Sequence, residues 1–147
     1  MGYLSALDIS ASGLSAQRLW MDTIAQNIAN ANTTRTENGL PYRRKTVIFE
    51  ERKAEESFSS YLKKSSNELL NAKGVKVSRI VEDQSPYRRV YNPGHPDADE
   101  DGYVNMPNVD TITEMVNMIS ATRAYEANIT AINTTKSMAM KALDIIK

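Results

Sequence analysis

TITEMVNMISATRAYEANITAINTTKSMAMKALDIIK, residues 111 to 147, decides the architecture. The stretch holds neither Gly nor Pro, and alternate steps of three and four from Met115 reach Met118, Thr122, Tyr125, Ile129, Ile132, Lys136, Ala139, Leu143 and Ile146. All of these but Thr122 and Lys136 are apolar. Such spacing keeps one narrow stripe toward a partner along a whole helix, the pattern of a coiled-coil seam rather than the broad face of a globular core helix. Thr111 and Glu114 have the spacing of a capping box, in which hydroxyl and carboxylate satisfy orphan amides at the helix start. An unbroken helix here would run about 55 Å. A compact chain of 147 residues is only roughly 38 Å across. The molecule is therefore elongated, or the helix completes its burial against other molecules.

At the other end, Leu7, Leu14, Met21 and Ile28 recur every seven residues, with Leu4, Ala11 and Ala25 in the interleaved row. A second amphipathic helix is expected from Leu4 to about Ala31, interrupted in its stripe by Arg18. Ser, Ala, Thr and Asn dominate the rest of its surface, so neighbouring helices can approach closely. Asn30 to Thr34 end it in residues that favour caps and turns, and Asn38-Gly39 marks a turn before Pro41. Three runs rich in β-branched and aromatic residues follow: Tyr42 to Phe49, Val75 to Val81 and Arg88 to Tyr91. They are expected to form a small antiparallel sheet or hairpin unit. Ala54 to Lys73 carries Phe58, Tyr61, Leu62, Leu69 and Leu70 near helical spacing and reads as a possible helical insertion. Asn92 to Pro107 is a polar, acidic loop. The expected fold is mainly α with a small β insert: an N-terminal coiled-coil helix (1–34), a β-rich middle (35–107, with the 54–73 insertion) and a C-terminal coiled-coil helix (108–147).

Composition excludes several classes. Eighteen basic residues balance eighteen acidic ones, so bulk charge points neither to nucleic acid nor to an anionic membrane. Arg43, Arg44, Lys45, Arg52 and Lys53 make one segment locally basic, which reads as a solvated strand face or a strand edge guarded by charge. The absence of cysteine rules out a disulfide framework and thiolate metal sites. The N-terminus has no basic region, apolar run or membrane-length segment of the kind a cleaved signal needs. His95 is the only histidine, so no histidine cluster can hold zinc, and no catalytic site or cofactor is expected. Asp97, Asp99, Asp101 and Gly102 match the opening of a calcium loop. The twelfth position, however, is Asn108 instead of Glu, and Pro93 and Pro96 exclude the incoming helix. A calcium-responsive binding module on that loop is the alternative to the preferred reading. That reading is a structural subunit whose terminal helices pack with those of neighbouring copies in a coiled-coil layer of a polymer. Its expected interface is Leu7, Leu14, Met21, Ile28, Met115, Met118, Tyr125, Ile129, Ile132, Leu143 and Ile146.

Three segments in this order, MDTIAQNIANANTTRTENGLPYRRK, YNPGHPDADEDGYVNMPNVD and EMVNMISATRAYEANITAINTTKSMAMKAL, resemble the bacterial flagellar basal-body rod proteins, most closely those of the proximal rod. The Asn-rich N-terminal segment alone resembles the wider family of rod, hook and filament axial proteins. The resemblance implies a structural rod protein that transmits torque from motor to hook, lies in the rod spanning the periplasm and is exported by the flagellar type III apparatus. It also implies partners: copies of itself, other proximal and distal rod proteins, the rod adaptor and the base of the export gate, with no nucleic acid and no direct membrane insertion. Asn27, Asn30, Asn32, Pro41, Tyr42 and Arg43 match the family's N-terminal motif. Pro107, Asn108, Ala121, Arg123, Tyr125 and Asn128 match its C-terminal one. The 54–73 stretch is longer than the family pattern.

Overall fold

A computed structural model of the chain describes residues 3–52 and 74–145; the expected insertion at 54–73 and the seam position Ile146 lie outside them. Helix α1 spans Tyr3–Ala29 and α2 spans Thr111–Ile145. Between them lie β1 (Lys45–Glu51), β2 (Val75–Glu82), β3 (Arg88–Tyr91) and β4 (Tyr103–Met106). At 35 residues, α2 is about 52 Å long. Its N-cap is one residue earlier than the Thr111/Glu114 box. Asp110 accepts the Ile112 amide (3.2 Å) and the Thr113 hydroxyl (2.6 Å). Glu114 is thereby free to point away from the cap.

The two helices pack antiparallel. Asn27 at the end of α1 donates to Glu114 at the start of α2 (2.8 Å). Gly13 lies so close to Asn128 that a Cβ would sit 3.0 Å from its Oδ1. Both contacts define one register, in which Tyr3 stands opposite Met138. The last two turns of α2 therefore run past the start of α1.

This contact turns the expected seam. Ala121 is fully buried and Met118, Tyr125, Asn128 and Ile132 are half-buried. Met115, Ile129 and Leu143 stand exposed at 51%, 38% and 65%. On α1, Gly13, Ala16, Thr23, Ile24 and Asn27 are buried, Ile24 being the one large apolar side chain among them. The small and hydrogen-bonding groups beside it let the helices approach closely where α2 is also small or polar, at Glu114, Ala121 and Asn128. Met115 and Ile129, one position beyond Glu114 and Asn128, are left exposed on the flank.

The strands form two separate antiparallel ladders, β1 with β2 and β3 with β4, where the three runs were expected to join in one small sheet or hairpin unit. Strand β1 pairs from Lys45↔Glu82 to Glu51↔Val75 with a bulge between Ile48 and Phe49. Strand β4 arises inside the stretch that reads as a polar loop. Four residues are too few to show alternation, and what fixes the strand is burial of Val104 to 2% exposure. The β1–β2 ladder lies along α1: Trp20 meets Phe49 edge to face at 5.8 Å, and the Ser12 hydroxyl accepts the Val75 amide (3.1 Å). Arg52 N–H donates to the Gly74 carbonyl (3.0 Å), closing the base of the hairpin.

Gly74 and Gly39 both hold positive φ, 73° and 72°. A Cβ on Gly39 meets nothing within 4 Å, whereas one on Gly74 would lie 2.3 Å from Ser12 Oγ. Gly39→Ala should therefore cost only the left-handed backbone penalty of about 1–2 kcal/mol. Gly74→Ala should cost clearly more and loosen the hairpin from α1; paired thermal melts check the order.

Candidate assembly surface

The outward faces of the helices are set by a buried polar knot where four parts of the chain meet. Glu114 and Asn27 are each 1% exposed. The Asn27 amide uses its full capacity. Its Nδ2 donates to the Lys45 carbonyl and to Glu114 Oε2 (both 2.8 Å), and its Oδ1 accepts the Tyr42 hydroxyl (3.0 Å) and the Lys45 amide (2.9 Å). Arg44 donates to Glu114 Oε1 from Nε (2.9 Å) and Nη2 (2.8 Å), and its Nη1 lies 3.5 Å from Asp83. Asn108 accepts the Arg44 amide (2.8 Å) and donates to the carbonyls of Asp83 and Ser85. A buried carboxylate is tolerable only when paired and hydrogen-bonded in this way.

The titration of the knot's neighbours follows from these contacts. Burial, with the charges of Glu114 and then Glu82, pushes the Tyr42 phenol above its ordinary range. The Ser85 hydroxyl and amide, aided by Arg44, hold Asp83 below the usual carboxylate range. Asp110 is held low by the Thr113 hydroxyl and the Ile112 amide.

Most motif residues fall in or beside the knot. Tyr42, Pro107 and Ala121 are buried. Pro41 accepts the Tyr87 hydroxyl through its carbonyl (3.3 Å), while Arg43 stacks over the Tyr87 ring at 4.5 Å. Asn30 donates to the Gln26 carbonyl and accepts the Thr33 hydroxyl; Asn32 is exposed. The basic run is therefore not simply a solvated strand face, because Arg44 and Arg43 are committed inward. Arg44 and Glu114 are knot members whose role sequence reasoning passed over, as it did Asp83. Glu114 looked like a capping residue and Arg44 like surface charge, and only their long-range pairing distinguishes them.

Of the expected interface residues on α1, Leu7, Leu14, Met21 and Ile28 are half-buried, and the Sδ of Met21 accepts the Thr122 hydroxyl at 3.6 Å. The calcium alternative fails on geometry. Asp97 accepts the Thr34 hydroxyl (2.8 Å), and Asp99 accepts Arg89 (2.9 Å) and the Tyr103 amide (2.8 Å). The carboxylates turn to separate partners, and no group of three or more acidic or imidazole side chains converges among the described residues. What α2 does present is an outward apolar row: Ile112, Met115, Val116 and Ile119 are 74%, 51%, 57% and 56% exposed, at the spacing of one helix face. Exposed apolar side chains gathered on one helix face make this row a candidate interaction surface. Among the described residues no helix is long and apolar enough to cross a membrane.

Comparison with known proteins gives concordant matches at both ends of the chain. A family model described as "Flagella basal body rod protein" matches residues 7–35. One described as "Flagellar basal body rod FlgEFG protein C-terminal" matches residues 100–145. The chain is 52% identical over 147 residues to the flagellar basal-body rod protein FlgC of Bacillus subtilis, covering 97% of each. It is 44% identical over 151 residues to that of Borreliella burgdorferi, covering 100% of this chain and 99% of the relative. With that of Salmonella typhimurium it shares 42% identity over 145 residues, 99% of this chain and 98% of the relative.

The knot predicts a rank order of stability. Asn27→Asp removes two donors and sets a second carboxylate against Glu114, so it should cost on the order of 3–5 kcal/mol, the scale for an uncompensated buried charge. Tyr42→Phe leaves Asn27 its other acceptor contact and should cost about 1 kcal/mol. Denaturant titration measures both. Because Asp83 and Asp110 have depressed pKa values in the folded state, their stabilisation is present above the unfolded value of about 3.9 and is lost as pH falls through the lower folded values. Thermal midpoints should drop as pH is lowered below about 4, less steeply in Asp83→Asn.

Proposed function

The chain belongs to the family of flagellar basal-body rod proteins, and from that premise we propose that it polymerises through the outward faces of α1 and α2 into the shaft that carries torque from motor to hook. It is a structural subunit located in the flagellar basal body. The single observation that supports the assembly route is the uncovered apolar row of α2. That row lies opposite the face packed on α1, on a helix about 52 Å long. A thin helix pair buries one side of each helix within the chain and leaves the other for neighbours. Stiffness under torque then comes from many small contacts spread along nearly parallel helices.

The same reading extends to the partners. Other copies, the remaining proximal and distal rod proteins, the rod adaptor and the base of the export gate are the neighbours such a subunit would meet. The relatives are flagellar basal-body rod proteins, and the buried Asn27 and Glu114 side chains join the helices to each other and to the β region. This supports a role without catalysis.

Ile119→Asp places a charge on the row without touching the α1 contact. It should leave helicity and the thermal midpoint within about 0.5 kcal/mol of the parent, the range for surface substitutions. Incorporation into basal bodies and motility should be lost when it replaces the resident rod protein of a flagellated cell. Normal rods would remove the row from the assembly surface.

A further inference from the structure

We propose that the outward apolar row of α2 is covered, in the assembly, by the outward face of α1 from a second copy of this chain, packed antiparallel. The inference rests on the reading that the terminal helices carry assembly, and adds which element covers the row and in which direction.

The two outward faces are unlike and complementary. On α2 the apolar row is followed, on the same face, by the exposed charges Arg123 and then Glu126. On α1 the outward face reads, from its C-terminal end backward, Ala29, Ala25, Asp22 and Arg18, all exposed. Among the described residues none of these four charged side chains has an ion-pair or hydrogen-bond partner within the chain. Two charges of opposite sign therefore lie one turn apart on each helix, each beside a run that differs in size: large on α2, small on α1.

Direction follows from spacing. The α2 positions Val116, Ile119, Arg123 and Glu126 step by three, four and three; the α1 positions, read backward, step by four, three and four. Set antiparallel with Asp22 opposite Arg123, the alignment also puts Arg18 opposite Glu126, Ala25 beneath Ile119 and Ala29 beneath Val116. Large side chains then enter a surface of alanines, and both charge pairs are attractive. A parallel arrangement gives no such register. Aligning the two charge pairs sets Arg18 against Arg123 and Asp22 against Glu126, while aligning Asp22 with Arg123 alone sets Ile119 against Arg18. Like charges placed directly opposite one another disfavour an interface.

Because each copy offers one α2 face and one α1 face, the contact is heterologous and leaves a free face at each end. Repetition gives a row of alternating α1 and α2 that closes into a ring or continues as a helix, rather than a closed pair. The extended antiparallel register is the same arrangement, shifted by about one turn, that α1 and α2 adopt within the chain.

The chain has no cysteine, so paired substitutions report the contact directly. Ala25→Cys and Ile119→Cys in one chain, assembled in basal bodies and treated with a short bifunctional thiol reagent, should give a ladder of covalent multimers; either substitution alone should give none. Arg123→Asp should lower ladder yield on the order of tenfold, and Asp22→Arg added to it should recover most of the loss. The Arg18→Glu and Glu126→Arg pair supplies a second, independent cycle. Dimers without a ladder, no crosslink in a motile strain, or a double reversal no better than the single one would overturn the α1–α2 contact. If Ile119→Asp blocks incorporation while these tests fail, the row still serves assembly and only its occupant is wrong; if Ile119→Asp assembles normally, the assembly reading itself falls.

Discussion

Glu114 sits at 1% exposure in the first turn of α2, and a carboxylate taken out of water there must be met by donors or the fold cannot hold it. Asn27 supplies one donor from the end of α1 and Arg44 two from the chain entering β1. Each partner is useful only if the other elements are already in place. Asn27 also braces the backbone of Lys45 on both its amide and its carbonyl. The contact therefore fixes the crossing of the two helices and the exit of the β region in one step. Breaking a buried pair of this kind leaves a charge without compensation, which is why removing one member is costly even where the pair itself adds little net stability.

The rest of the helix contact is thin by comparison. Gly13 against Asn128 and the fully buried Ala121 bring backbones together, but small side chains bury little area each and hydrophobic stabilisation scales with area. Ile24 is buried to 2% exposure, but Ile112, Met115, Val116 and Ile119 of α2 stay outside. That division makes sense for a rod subunit: intramolecular order is specified by polar groups at one end, while the bulk of the apolar surface on α2 remains available to neighbours. The β ladders attach along α1 through Ser12 and through Trp20 with Phe49, leaving the outward face of α1 clear.

Much of this was legible in the chain and some was not, for identifiable reasons. The long helices show in heptad spacing and in the absence of Gly and Pro across residues 111–147. Strands 75–82 and 88–91 show in β-branched runs. Strand β4 does not, since four residues carry no usable alternation and its Val104 is identified as core only by what packs on it. The partition of the strands into two ladders depends on pairing at a distance, which composition does not record. Asp97 and Asp99 imitate a calcium loop because acidic residues at alternate positions suit both a cation and a turn. Their hydroxyl, guanidinium and amide partners decide between the two.

Sequence by itself determined that the chain ends in two amphipathic helices around a β-containing middle, because periodicity is a local property of side-chain order. It also carried the family likeness, since the motif residues lie in three ordered segments. Tertiary structure decided which face of each helix is inside. The most apolar row of α2, the one stepping from Met115, is not the row most deeply packed on α1; the hydrogen bond from Asn27 to Glu114, 87 residues apart in the chain, sets a different, less apolar row inward. That choice turns Ala121 inward and Ile112, Val116 and Ile119 outward, and no local pattern could have made it.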